Sequence, residues 1–96
     1  MKIKSILQSE NECFVCHTTQ NLHTHHIFEG GTNGNRKMSE KYNMTIRLCE
    51  RHHNMSDEGI HYNKALDLRV KQMAQEVFEQ THTRDEFREI FGKSYL

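Results

Sequence analysis

Apolar and polar positions change rhythm along the chain, and each change predicts an element. Residues 1 to 12 alternate weakly through Ile3, Ile6 and Leu7, which fits a short strand or a frayed arm. Cys13, Phe14, Val15 and Cys16 enclose two apolar residues within a cysteine pair, as a tight turn between short strands would. Residues 22 to 28 then read as a strand with mixed polar and apolar positions. The run 29 to 35, EGGTNGN, concentrates Gly and Asn, which tolerate positive φ, and predicts a loop. Met44, Ile46 and Leu48 alternate with Thr45 and Arg47, the period-two signature of a second strand. Cys49 to about Asp57 predicts a helix that Gly59 stops. From Tyr62 to about Gln80, Leu66, Val70, Met73, Val77 and Phe78 recur at spacings of three and four, so they share one helical face. Thr83 with Glu86 fits a capping box, and Phe87, Ile90 and Phe91 form a shorter stripe that ends at Gly92. Both stripes read as structural cover for a small core; a partner-binding surface is the sharper alternative. The succession of elements predicts an α+β fold.

Composition makes a purely hydrophobic core look insufficient. The 96 residues suffice for one domain, but 34% are hydrophobic and Trp and Pro are absent. The mean hydropathy is -0.89. A chain of this size is thinly stabilised by burial alone, and metal binding is one way to staple it. Eight histidines are present, six of them between His17 and His53, in company with all three cysteines. The odd cysteine count and the two-residue gap between Cys13 and Cys16 favour a metal knuckle over a disulfide framework. No apolar run approaches the roughly 20 residues that span a bilayer, and residues 1 to 10 lack a secretory core, so the expected location is cytoplasmic. Zero formal net charge removes any bulk electrostatic case for nucleic acid. Locally, Arg36, Lys37, Lys41, Arg47 and Arg51 outnumber Glu40 and Glu50, which gives either a basic patch or ordinary solvated charge.

The chemistry follows from two clusters. Cys13, Cys16, Cys49 and His52 form a C-x2-C pair and a C-x2-H pair, a set that suits tetrahedral Zn²⁺. With four protein ligands such a site is closed and structural. His25, His26 and His53 are left over, each on an element anchored by a zinc ligand, and they predict a second centre. Adjacent strand residues face opposite sides, so one of His25 and His26 would bind metal while the other handles water. A single histidine is ordinarily a hydrogen-bonded core or surface residue. Two His-His pairs flanking a loop beside a knuckle shift that balance.

The run Cys13-x2-Cys16, His25-His26-Ile27, a Gly-rich loop and Leu48-Cys49-x2-His52-His53-Asn54 resembles HNH endonucleases of the ββα-metal class. It is most similar to the short HNH proteins of bacteriophages. There the likeness extends through Phe28, Arg36, Ser39-Glu40-Lys41-Tyr42, His61 and Phe91-Gly92-Lys93, and so covers most of the chain after Cys13. The resemblance implies a single HNH domain, with the zinc knuckle and ββα core in residues 12 to 60 and a helical cover in 61 to 96. It implies a metal-dependent endonuclease that nicks or cuts DNA with low sequence specificity. His26 then matches the general base, His25 and His53 match ligands of one catalytic divalent ion, and His52 stands in for the usual fourth cysteine. The family's middle Asn falls five residues before the second Cys pair, where this chain has Met44; Asn43, one residue earlier, is the candidate to brace the loop. The third ligand is Asp57, His61 or water, with His61 favoured because its imidazole matches the others. Imidazole ligands favour Zn, Ni, Co or Mn over Mg. Arg36, Lys37 and Lys41 are the candidates to grip DNA phosphates. Partners implied are DNA and phage packaging or recombination proteins. Two rival readings stand beside the nuclease: a zinc-stabilised DNA- or protein-binding module without cleavage, and an interaction protein whose helical stripes dock on a phage packaging complex.

Overall fold

The computed structural model describes residues 3–29, 34–55 and 59–96. Its centre is a two-stranded antiparallel sheet of β1 (Leu22–His26) and β2 (Thr45–Cys49). The register pairs Leu22 with Cys49, His25 with Ile46 and His26 with Thr45. Alternation in β2 works as its sequence predicts, with Ile46 and Leu48 buried and Thr45 and Arg47 half-buried. Met44 lies just outside the strand but is fully buried; its N–H donates to the Ser39 carbonyl and its own carbonyl accepts from Ile27 N–H.

Residues before the sheet are neither frayed nor a full strand. They run along the outer edge of β2, where Arg47 N–H donates to Gln8 Oε1 (2.8 Å) and Phe14 N–H donates to the Arg47 carbonyl (2.8 Å). The Ser5 hydroxyl also donates to the Thr45 carbonyl, and Ile6 N–H to the Asn43 carbonyl. This strap covers an edge that would otherwise expose unpaired backbone groups.

Helix α1 (Asn35–Lys41) occupies a stretch whose sequence carries no apolar stripe. Its anchor is polar: the buried Ser39 hydroxyl donates to the Phe28 carbonyl (2.6 Å) and accepts from Phe28 N–H (3.0 Å). After β2 the chain does not enter an ordinary α-helix at Cys49, which stays in the strand. It forms instead a wide π-type turn, Arg51–Met55, a geometry found mostly as single turns and frequently at functional sites. Asp57 lies outside the described residues. Ile60 N–H donates to the His52 carbonyl (2.8 Å) and His61 N–H to the His53 carbonyl (3.3 Å), so the chain folds back against the turn and brings His61 beside His53.

Helix α2 (Lys64–Phe78) starts at Asn63, whose side chain accepts from Leu66 N–H. It buries Val70, Ala74 and Phe78 at four-residue spacing, while Met73 and Val77 stay half-buried. Gln75, missing from the apolar stripe, is fully buried because every polar atom of its amide is used: Nε2 donates to Glu79 and Ser94, and Oε1 accepts from Tyr95 N–H. Helix α3 (Arg84–Phe91) has the capping box that Thr83 and Glu86 predict, and Gly92 ends it at φ 93°, where glycine is favoured. It delivers Phe87 and Phe91 to an aromatic core in which the Phe28 ring lies 4.5 Å from Phe91 and 5.4 Å from Phe87. No helix among the described residues is long and apolar enough to cross a membrane.

Candidate metal centres

The four residues of the first cluster come from three parts of the chain, and the fold places their ligand atoms within 4.8 Å of one another. Cys13 and Cys16 lie at the end of the strap, Cys49 ends β2 and His52 sits on the π-type turn. The separations are 3.7 Å for Cys16 Sγ to Cys49 Sγ, 3.2 Å for Cys49 Sγ to His52 Nδ1 and 3.8 Å for Cys13 Sγ to His52 Nδ1. Around one tetrahedral ion with bonds of ~2.3 Å to sulfur and ~2.0 Å to nitrogen, the sulfur–sulfur and sulfur–nitrogen edges should be ~3.8 Å and ~3.5 Å. A disulfide would need ~2.05 Å between sulfurs, and the three cysteines are free. The Cys16 amide approaches Cys13 Sγ at 3.5 Å, as expected in a knuckle whose backbone supports a thiolate. Burial works against that thiolate, but the amides of Cys16, Cys49 and Val15 outweigh it and bring the Cys13 thiol down to about 6. Burial pushes Cys49 the other way, and a bound cation would offset it. The cluster could hold a metal ion such as zinc.

A second convergence joins His25, His53 and His61, again within 4.8 Å. His25 is 3% exposed, and neither ring nitrogen has a hydrogen-bond partner among the described residues. A buried polar group left unsatisfied costs about 1–3 kcal/mol, so an imidazole with two unpartnered nitrogens calls for a ligand. Burial, with His53 and His61 adding to it, takes the His25 imidazole down to about 3. Burial, with His61 and His23 adding to it, lowers His53. Both rings are therefore neutral near pH 7 with a lone pair to offer, the form a metal requires.

The tautomers are consistent with one shared ion. His53 Nε2 and His61 Nε2 lie 3.0 Å apart, near the ~3.3 Å edge expected between two imidazole nitrogens on a tetrahedral ion. If both Nε2 atoms face that ion, both protons sit on Nδ1, and each Nδ1 has an acceptor nearby. His53 Nδ1 lies 3.0 Å from His23 Nδ1, and His61 Nδ1 lies 3.8 Å from Glu29 Oε1. On a tetrahedral ion, three protein ligands would leave one position open. The cluster opens into a cleft of about 260 Å³ between the end of β1 and α2.

Strand alternation sends His26 away from this cluster. It is 7% exposed and its Nε2 donates to Glu40 Oε1 on α1 at 2.9 Å. Arg36, Lys37 and Lys41 are exposed on the same helix as Glu40, and Lys41 Nζ sits 5.6 Å over the Tyr42 ring. Asn43 is an exposed turn residue at φ 58° between α1 and β2; its carbonyl accepts from Ile6 N–H and its N–H donates to the Glu40 carbonyl. His23, Glu29, Lys64 and Lys71 surround the histidine cluster or its cleft without any motif having marked them. The signal for His23 was its place two residues before His25 on a strand, which gives the two a common face. Comparison with protein-family models, curated proteins and solved structures gave no match.

Proposed function

We propose that the chain is a metal-dependent endonuclease of the HNH, ββα-metal class that hydrolyses DNA phosphodiester bonds with low sequence specificity, and that the Cys13, Cys16, Cys49 and His52 cluster holds a structural zinc. The observation that carries this reading is the buried His25 ring, with both nitrogens unpartnered, converging with His53 and His61 on an open cleft beside a closed Cys₃His set. A divalent ion at the histidine site would supply positive charge to the phosphoryl oxygens and to the departing 3′-oxygen. His26, turned from the metal cluster by strand alternation, is the base in this reading: with Nε2 bonded to Glu40 it would take a proton at Nδ1 from water that attacks opposite the departing oxygen. Glu40 holds that ring in one tautomer. The water oxygen bonds to phosphorus as the bond from phosphorus to the 3′-oxygen breaks, and that oxygen takes up a proton from solvent, leaving 5′-phosphate and 3′-hydroxyl ends. Arg36, Lys37 and Lys41 contact phosphates along the duplex and so position it without reading sequence. Asn43 fixes the backbone between α1 and β2.

One observation favours a zinc-stabilised DNA- or protein-binding module instead, docking for example on a phage packaging complex. His26 is nearly buried and already satisfied by Glu40, the arrangement of a structural tie between β1 and α1.

Supercoiled plasmid nicking separates the two. The protein is assayed with Mg, Mn, Co, Ni and Zn beside His25→Ala and His26→Ala proteins purified identically. The nuclease reading expects metal-dependent nicking that His26→Ala lowers by about 10²-fold or more while circular dichroism stays unchanged. No nicking with any metal by a folded, zinc-bound protein would favour the binding module. Equal nicking by wild type and His26→Ala would remove His26 from the role of base.

A further inference from the structure

The three cysteines of the first cluster are not equivalent. Cys13 is fully buried and Cys49 nearly so, whereas Cys16 is exposed beside the exposed Val15. A small oxidant therefore reaches the Cys16 sulfur first, and an accessible thiolate with a second thiol in reach is the arrangement that yields a disulfide. That second thiol is Cys49, whose Sγ lies 3.7 Å away. A disulfide needs ~2.05 Å, so the two sulfurs must close by about 1.7 Å. Cys49 is fixed in the sheet opposite Leu22, but the Cys16 amide is held by one bond among the described residues, to Cys13 Sγ at 3.5 Å. Closure therefore moves the exposed tip of the knuckle and leaves β2 in place.

We propose that Cys16 and Cys49 are a redox pair: oxidation by hydrogen peroxide joins them, empties the cysteine cluster of its ion and, through the turn that carries His52 and His53, loosens the histidine cluster. The inference rests on the metal readings of both clusters and does not depend on DNA cleavage. The Cys16 thiolate attacks one peroxide oxygen, the O–O bond breaks, and a sulfenic acid forms as hydroxide leaves. The Cys49 thiolate then attacks the Cys16 sulfur, the S–S bond forms, the S–O bond breaks and a second hydroxide leaves. Two thiolates have given two electrons to peroxide, and two protons from solvent turn both hydroxides into water.

Only Cys13 and His52 then remain as ligands, two where a structural zinc takes four. His52 Nδ1, 3.2 Å from Cys49 Sγ, loses the ion it would share with that sulfur. His52 and His53 are consecutive on the π-type turn, and their carbonyls accept from Ile60 and His61 N–H. A shift of the turn thus reaches two of the three residues of the histidine cluster. The disulfide meanwhile keeps the strap tied to the end of β2, so the oxidised chain stays folded.

The test uses the full chain with zinc in the cysteine cluster, treated with hydrogen peroxide, then with catalase, and desalted. Released zinc is read with a chromogenic chelator, the linkage by peptide mapping after alkylation of free thiols, and the histidine site by Co²⁺ titration against a competing chelator. Wild type should release its zinc, show a Cys16–Cys49 linkage with Cys13 alkylated, and bind Co²⁺ about tenfold or more weakly, with circular dichroism retained. A dithiol reductant with added zinc should restore the Co²⁺ affinity. Cys16→His keeps four ligands of a kind zinc accepts but removes the exposed thiol; it should hold its zinc and its Co²⁺ affinity through the same treatment. Zinc retained by treated wild type, a Cys13–Cys16 linkage, or unchanged Co²⁺ affinity in the Cys16–Cys49 disulfide form would overturn the switch and leave both metal centres standing. Should the Cys16→His protein not fold, the wild-type map and titration still decide. Failure of the reduced wild type to bind zinc or Co²⁺ would overturn the underlying metal readings instead.

Discussion

The proton on His53 decides what the histidine cluster can hold. With that proton on Nε2 the ring would donate toward His61, and no lone pair would face the centre of the cluster. With it on Nδ1 the ring donates to His23 Nδ1 at 3.0 Å and presents Nε2 to the same space as His61 Nε2. In the proposed metal site His23 would thus select the ligating tautomer, a positioning role of the kind that commonly changes metal affinity by 10–100-fold. His23→Ala should lower Co²⁺ affinity at the histidine site by about tenfold or more without altering the cysteine site, as read by competition against a chelator of known strength. His23→Gln, which retains an acceptor, should recover part of the loss. Equal affinity in His23→Ala would show that the His23 contact is incidental. Part of this site was legible in the sequence, because His25 and His53 lie in motifs and His61 shares their chemistry. His23 carried only the signal of a strand face shared with His25, since its contact depends on a ring carried by a different element and on the strand register that brings the two together.

Elements whose signals are local were the ones that could be read from sequence. The start of α3 is written in Thr83 and Glu86, its end in Gly92 and its buried face in Phe87 and Phe91. Strand β2 shows its period of two at Ile46 and Leu48. Helix α1 was invisible for a physical reason: its ties to the fold are polar, the Ser39 hydroxyl bonded to the backbone of Phe28 and Glu40 bonded to His26, and no hydrophobic period announces such contacts. The π-type turn escaped too, because the periodicity of five residues cannot separate a π-turn from an α-turn, yet the turn sets His52 toward the cysteines and His53 toward the histidines. The local writing of α3 can be tested directly. Thr83 accepts from Glu86 N–H at 3.1 Å, and Glu86 accepts from Thr83 N–H at 3.0 Å. Thr83→Ala should cost about 1 kcal/mol, which for a domain of this size lowers Tm by roughly 4–8 °C in calorimetry. A loss near zero would mean that packing of Phe87 and Phe91 alone sets the helix.

For the molecule as a whole, the two clusters draw different elements together, and the π-type turn belongs to both. The cysteine cluster pins the strap, the end of β2 and the turn at a single point. The histidine cluster joins β1, the same turn and the segment entering α2. A sheet of only two strands is marginal without such ties, and structural zinc in small domains commonly contributes on the order of 10 kcal/mol or more to folding. Stepwise demetallation should therefore separate the roles. A weak chelator should empty the three-ligand histidine site first, abolishing nicking while far-ultraviolet circular dichroism and the cooperative melt persist. A strong chelator should then strip the thiolate site and remove the cooperative transition, because losing that ion frees the strap from β2 and exposes the sheet edge it covers. A protein that keeps the same melt after both ions are gone would show that the aromatic core of Phe28, Phe78, Phe87 and Phe91 holds the fold alone, with the cysteines free to serve another purpose. Loss of the melt at the first step would place the histidine ion in the fold's foundation, and a site needed to keep the chain folded would then favour a binding module over an enzyme with an open catalytic position.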